Sequence, residues 1–185
     1  DSTTGDQNTA LGTSTLANAT TADNNTAVGH SALFDNTTGA SNTAVGSLSL
    51  SNNTTAAFNT AVGNTALLTN TTGASNTGIG RNALYYTTTA DGNTAVGATA
   101  LQTNTTGANN VAVGASAGYL TTTGVSNVCI GLESGYSITT GSNNVCIGPH
   151  AGQGQFATTD HQLFIARAAA GAGNAAVWIL GNANG

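Results

Sequence analysis

Charge is what this sequence lacks most: its 185 residues hold seven acids, two arginines and no lysine, where about a quarter of an ordinary globular domain is charged. The acids are Asp1, Asp6, Asp23, Asp35, Asp91, Glu133 and Asp160, and the arginines are Arg81 and Arg167. With a formal charge of −5 and no basic cluster, the chain has no electrostatic footprint for nucleic acid and is disfavoured at anionic membranes. Long apolar runs are missing too: none approaches the roughly 20 residues of a membrane helix, and no basic and apolar leader opens the chain. The start at Asp1-Ser2, without methionine, is expected of a processed product or a portion of a longer chain. Aromatic residues make up only 5%. The apolar residues present are small and evenly spread, which suits a thin core repeated many times.

What is abundant is Thr, Asn, Gly and Ala. Such a composition invites a reading of disorder, but disordered chains combine low hydrophobicity with high net charge, and this one is 39% apolar with little charge. Self-similarity explains the composition instead. The phrase from Asn8 to Gly12 returns at Asn25, Asn42, Asn59, Asn76, Asn93, Asn110, Asn127 and Asn144, every step being 17 residues. All nine copies keep Asn first and Gly fifth. A register free of insertions over residues 8–148 implies that each unit stacks on the one before.

Within the phrase, alternate residues face opposite ways, as in a short strand. The fourth position forms an aliphatic column, Leu11 followed by Val28, Val45, Val62, Ile79, Val96, Val113, Ile130 and Ile147, which is expected to be structural core. The second position shares its face, with Thr as far as Thr94 and then Val111, Val128 and Val145. Between them stands Ala, Gly or Cys, as in Ala27, Gly78 and Cys129. That small-residue face, at Ala27, Ala44 and Ala61, is expected to pack closely against another chain. The fifth-position Gly suits a tight corner, an Ala-Leu pair such as Ala32-Leu33 provides a second apolar wall, and a Thr pair such as Thr37-Thr38 follows.

Helical solenoids need 30 or more residues per repeat, and frequent Gly with paired Thr opposes helix. The expected fold is therefore all-β: a parallel β-solenoid of 17-residue coils, stacked at about 4.8 Å. Residues 1–148 form the solenoid of nine repeats, with sub-segments 8–109 and 110–148, and 149–185 form a C-terminal cap or transition segment. The division at 110 reflects Thr giving way to Val at position two as Leu gives way to Gly118, Gly135 and Gly152; a conserved cross-section redistributed between walls would account for it. In the cap, Phe164 and Trp178 are the candidate apolar cover for the open end, and Leu163 to Ala166 is expected to keep the 17-residue register with His161 in the Asn place.

The Asn column, Asn25, Asn42, Asn59, Asn76, Asn93, Asn110, Asn127 and Asn144, is expected to be a structural ladder, its amides hydrogen-bonding between coils. Ligand contact is the other reading. Because coils this thin enclose little volume, association would supply burial that one chain lacks, and a parallel homotrimer is expected.

The phrase from Asn109 to Gly114 resembles the strand motif in the heads of trimeric autotransporter adhesins, in which a left-handed parallel β-roll trimerises, although those coils are shorter. The Asn-Thr-Ala-Val-Gly array resembles more closely those of phage tail fibres and related bacterial surface proteins, often followed by a self-cleaving intramolecular chaperone of the endosialidase type. Residues 160–167 and 173–181 are similar to the segment preceding that chaperone in cyanophage-type fibres. The resemblance implies a tail-fibre shaft in the virion, involved in host attachment, with a host receptor or glycan engaged through regions outside this segment. A microbial cell-surface adhesin or extracellular filament is the alternative.

Chemistry-bearing residues are few. Cys129 and Cys146 share a column in adjacent coils, read as two small buried thiols, with a disulfide or a metal site as alternatives. His30, His150 and His161 are scattered. Asp6 and Asp23 fall one coil apart, where calcium or a shared proton is conceivable, but exposed corner residues are the simpler reading. A polysaccharide-cleaving spike needs paired carboxylates facing a groove, and the acids are dispersed; no enzyme, cofactor or metal is expected. The Thr pairs give one outward rank, a poor basis for ice binding. Asn36, Asn53, Asn70 and Asn104 each open an Asn-Thr-Thr glycan acceptor pattern, with a turn role as the alternative.

Overall fold

The computed structural model describes residues 5–154, 157–167 and 176–182, with residues 166–167 and 176–182 described by their backbone alone. The chain is an all-β parallel solenoid of 17-residue coils. Each repeated phrase supplies one three-residue strand: β1 (Thr9–Leu11), β2 (Thr26–Val28), β3 (Thr43–Val45), β4 (Thr60–Val62), β5 (Thr77–Ile79), β6 (Thr94–Val96), β7 (Val111–Val113), β8 (Val128–Ile130) and β9 (Val145–Ile147). Two longer strands follow, β10 (Gln162–Arg167) and β11 (Ala176–Asn182). They lie in one sheet in chain order, parallel up to β10 and antiparallel between β10 and β11. From β1 to β10 the sheet extends about 43 Å at strand spacing.

Three-residue strands would be weak alone, but hydrogen bonding between coils runs round much of the circumference. Leu33 N–H donates to the Ser49 carbonyl at 3.1 Å, Thr37 N–H to Thr54 at 2.9 Å, and Ser41 N–H back to Asp23 at 3.0 Å. Thr hydroxyls strengthen one corner: those of Thr37, Thr54 and Thr71 each donate to the carbonyl of the Thr one coil on, at 3.0 Å. The first Thr of each pair is thus occupied in stacking, and the second, as at Thr38, Thr55 and Thr72, is exposed.

The small-residue column faces the inside of its own coil. Ala27, Ala44, Ala61, Ala95 and Ala112 are fully buried, and a Cβ placed on Gly78 would meet the Ala83 carbonyl and the Leu67 side chain at 3.3–3.5 Å. This corrects two expectations. No second chain is needed to cover Ala27, Ala44 and Ala61, and the expected core column, Val28, Val45, Val62, Ile79, Val96, Val113, Ile130 and Ile147, points out of the coil, with Val45, Ile79, Val113, Ile130 and Ile147 37–40% exposed. The cause is interior size. Leu33, Leu50, Leu67, Leu84 and Leu101 reach in from the opposite wall and fill the cross-section, leaving room only for a methyl, hydrogen or thiol on the strand.

Those leucines sit in left-handed backbone (φ 48–53°), which costs a Cβ-bearing residue about 1–2 kcal/mol. From coil seven the same position is Gly118, Gly135 and Gly152, at φ 59–70°, so the backbone path continues with the strain removed. The incoming Val111, Val128 and Val145 point outward and cannot replace the lost leucine volume, contrary to the expectation of redistribution between walls. Compensation is internal: a Cβ on Gly135 would lie 2.3 Å from Cys129 Sγ, and one on Gly152 2.8 Å from Cys146 Sγ, while Ile138 is buried nearby.

Past the ninth strand the spacing between equivalent positions grows by one residue. Leu163 pairs with Val145, Phe164 with Cys146 and Ile165 with Ile147, an offset of 18 residues. Gln162, not His161, therefore takes the Asn place, its N–H donating to Asn144 Oδ1 at 2.9 Å, and His161 takes the left-handed position before it, at φ 58°. Phe164 continues the inward column and is 4% exposed. β11 pairs Ile165 with Ile179 and Ala166 with Val177, which leaves Trp178 as the bulged residue; its side chain, expected in the cap, lies outside the described residues.

Candidate functional surface

Two buried rows of amides run the length of the rod. In the first, Asn42 N–H donates to Asn25 Oδ1, Asn59 N–H to Asn42 Oδ1 and Asn76 N–H to Asn59 Oδ1, each at 2.9 Å, and the same bond links Asn93, Asn110, Asn127 and Asn144. The Nδ2 group donates to the carbonyl 14 residues on, as from Asn59 to Gly73 at 2.9 Å. Each side chain thus supplies an acceptor to the next coil and closes its own coil, and every oxygen and nitrogen named here is taken up internally. With exposures of 0–1%, Asn25 to Asn144 are out of reach of a ligand.

The second row is not apparent from sequence. Asn36, Asn53, Asn70 and Asn104, which carry the glycan acceptor pattern, are fully buried. Asn53 Nδ2 donates to Asn36 Oδ1 at 2.8 Å and Asn70 Nδ2 to Asn53 Oδ1 at 3.1 Å, and each also donates to the carbonyl three residues on. An amide enclosed in this way cannot carry a glycan in the folded rod. Thr87 and Thr121 interrupt the row, and the interruption leaves Asn70 Oδ1, Asn104 Oδ1 and both threonine hydroxyls buried without partners.

The acids act singly. Asp23, Asp91 and Asp160 each accept the backbone N–H of the residue above them in the preceding coil, from Asp6, Ala74 and Ser142, all at 2.7 Å. Glu133 meets His150 Nδ1 at 3.2 Å and Gln153 Nε2 at 2.8 Å. Asp6 and Asp23 are joined by a backbone-to-carboxylate bond, and among the described residues no three of His, Cys, Asp and Glu converge. Cys129 and Cys146 are free, buried and adjacent. Contact with the Cys146 sulfur, aided by burial, pushes the Cys129 thiol well above its ordinary range. Stacked side by side, the two sulfurs fill the space left by Leu.

What remains is the outer face of the sheet. Positions two and four of every strand project from it, giving two parallel columns per rod, one Thr or Val and one aliphatic. Within residues 8–148 neither column contains a charged residue: Asp23, Asp35, Arg81, Asp91 and Glu133 all stand elsewhere on the coil. The hydroxyls of Thr26, Thr43, Thr60, Thr77 and Thr94 find no partner within the described chain. A contiguous, uncharged, half-exposed strip is the kind of surface that marks an interaction site.

Comparison with known proteins adds no relative: no family model, no curated protein and no solved structure matches the chain. Among the described residues no helix is long and apolar enough to cross a membrane.

Proposed function

We propose that this chain is a structural fibre segment whose rods associate in parallel as a homotrimer through the outer face of the sheet, forming the shaft of a virion tail fibre that holds host-attachment regions away from the particle. The observation that carries the reading is the uncharged outer strip running in unbroken register over nine coils. In a parallel assembly about an axis along the rod, each side chain faces its own copies. A charge there would meet like charge, and none is present. The amide rows support a mechanical role, since they join every coil to the next by buried bonds and offer nothing to a ligand. Burying the exposed two-fifths of a Val or Ile contributes about 0.6–1.2 kcal/mol by area, so nine coils supply a stable interface where one would not. The number three and the virion setting follow from the resemblance to phage fibre arrays and adhesin heads. The chain contributes shape and length, and catalysis and cofactors have no part in this role.

Light scattering at micromolar concentration tests assembly: a mass three times that of the 18.0 kDa chain is expected, and a monomer at all concentrations refutes it. Antibodies to the rod that label tail fibres in electron micrographs support the virion setting. Labelling of microbial surfaces instead makes the chain a cell-surface filament.

A further inference from the structure

The outer strip is not uniform, and the difference has a consequence for how copies align. Through coils one to six each strand presents the same pair, a Thr hydroxyl and an aliphatic side chain. Apart from Leu11 and Ile79 standing for Val, one such coil presents the same strand surface as the next, so two rods meeting through this stretch match nearly as well after sliding by one coil, about 4.8 Å. From coil seven the hydroxyl column becomes Val111, Val128 and Val145, continued by Leu163 of β10. Beside β8 the flanks carry Val125, 38% exposed, and Leu132, 48% exposed. Burying an unpartnered hydroxyl in a dry contact is unfavourable unless water or another group satisfies it, whereas valine at the same place has no such requirement.

We propose that coils seven to ten form a dry clamp that holds copies of this chain together and fixes their register, while coils one to six meet through a looser, hydrated contact. This rests on the association proposed above and names where along the rod it is decided. The partner is a second copy because nothing else shares the period: an occupant must repeat at the coil spacing and change character at the same coil. If one rod slides by a coil, Thr94 of one copy meets Val111 of the other, and a hydroxyl is buried against apolar surface. The Thr-to-Val boundary is therefore the point in the strip at which sliding carries its largest penalty.

The triple variant Val111→Thr, Val128→Thr and Val145→Thr tests this directly. Thr occupies the same column in six coils and is β-branched like Val, so the coil itself tolerates it. Two readouts are needed: the concentration at which the assembly dissociates, and the distances between nitroxide labels on Thr38→Cys, an exposed site off the strip. The full chain is expected to give one label distance. In the triple variant, dissociation moves to at least about tenfold higher concentration, and the distances spread to values that include one-coil offsets. The reciprocal variant, Thr26→Val, Thr43→Val and Thr60→Val, is expected to tighten assembly without spreading them. An assembled triple variant with unchanged affinity and one distance overturns the clamp while leaving association intact. A monomeric parent chain overturns both.

Discussion

Replacing Thr87 with Asn should make this protein more stable, and the size of the gain can be worked out from the interrupted second row of amides. Below the break, Asn70 Oδ1 has no donor, and at the break Thr87 Oγ1 has no partner; both are buried. An asparagine at 87 would place Nδ2 against Asn70 Oδ1, as Asn53 and Asn70 do against their lower neighbours at 2.8 and 3.1 Å. The same Nδ2 would reach the Ala90 carbonyl, as Asn53 reaches Ala56 at 3.0 Å, and its Oδ1 would receive Asn104 Nδ2. Each new bond contributes about 1 kcal/mol and each relieved orphan about 1–3 kcal/mol; against the strain of fitting a slightly different side chain, the net expectation is about 2–3 kcal/mol. Space is available, because asparagine occupies this position fully buried in the coils on either side. Guanidinium denaturation should show a raised midpoint with an unchanged slope, and amide exchange should slow in the coils around residue 87. Thr121→Asn is the internal control. It satisfies Asn104 Oδ1, but Ile138 stands next in the row and gives its own oxygen no donor, so its gain should be about half as large. Equal stability of wild type and Thr87→Asn, or a larger gain at 121 than at 87, refutes the account.

Asn59→Ala in the continuous first row orphans the Asn76 N–H and removes one of the two donors on the Gly73 carbonyl, the other being Asn70 Nδ2; it should cost about 1–3 kcal/mol by denaturation, against less than about 0.5 for exposed Thr55→Ala. Gly63→Ala should prevent soluble folding: at φ 136° its Cβ would stand 2.6 Å from the Gly80 carbonyl oxygen, which expression and circular dichroism will show. With Cys129 raised above an unfolded thiol of about 8.5, the native state keeps its proton longer. The associated stability is full below about pH 8.5 and is lost as pH rises towards the folded value. Cys146, held below its ordinary range by its hydrogen bond with Cys129, adds stability as pH rises towards about 8.5, so the thermal midpoint should fall only on the alkaline side of that value, and Cys129→Ala should flatten the fall. The residue Phe58, 66% exposed and at φ 63° where most other coils carry Ser or Asn, should gain about 0.5–1 kcal/mol as Phe58→Asn, since Asn tolerates left-handed backbone.

The period, the coil length and the positions of the strands are all legible in the sequence, because a fixed Asn and a fixed Gly every 17 residues allow few other folds. Which strand face looks inward is not. Alternation divides the Ala column from the Val column but does not rank them, and hydrophobicity favours the wrong one. The deciding fact is that Leu33 and its equivalents adopt left-handed backbone and turn into the coil, and leucine gives no sequence signal of that conformation. Gly118, Gly135 and Gly152 at the same place are such a signal in retrospect, since glycine is the usual occupant of positive φ. The second amide row is masked by its own sequence pattern: Asn36, Asn53, Asn70 and Asn104 carry an acceptor motif usually associated with surfaces. The one-residue slip before β10 is not legible, because His161 falls at the expected spacing and only the Gln162 N–H, bonded to Asn144, identifies the true equivalent.

The amide row also has a direction. Each backbone N–H is received by the carboxamide of the coil that precedes it in the chain, never of the one that follows. A polypeptide leaving the ribosome therefore finds, for every new turn, a waiting oxygen already fixed by the turn synthesised before. The rod can be laid down like courses of brick, each course set on a finished one.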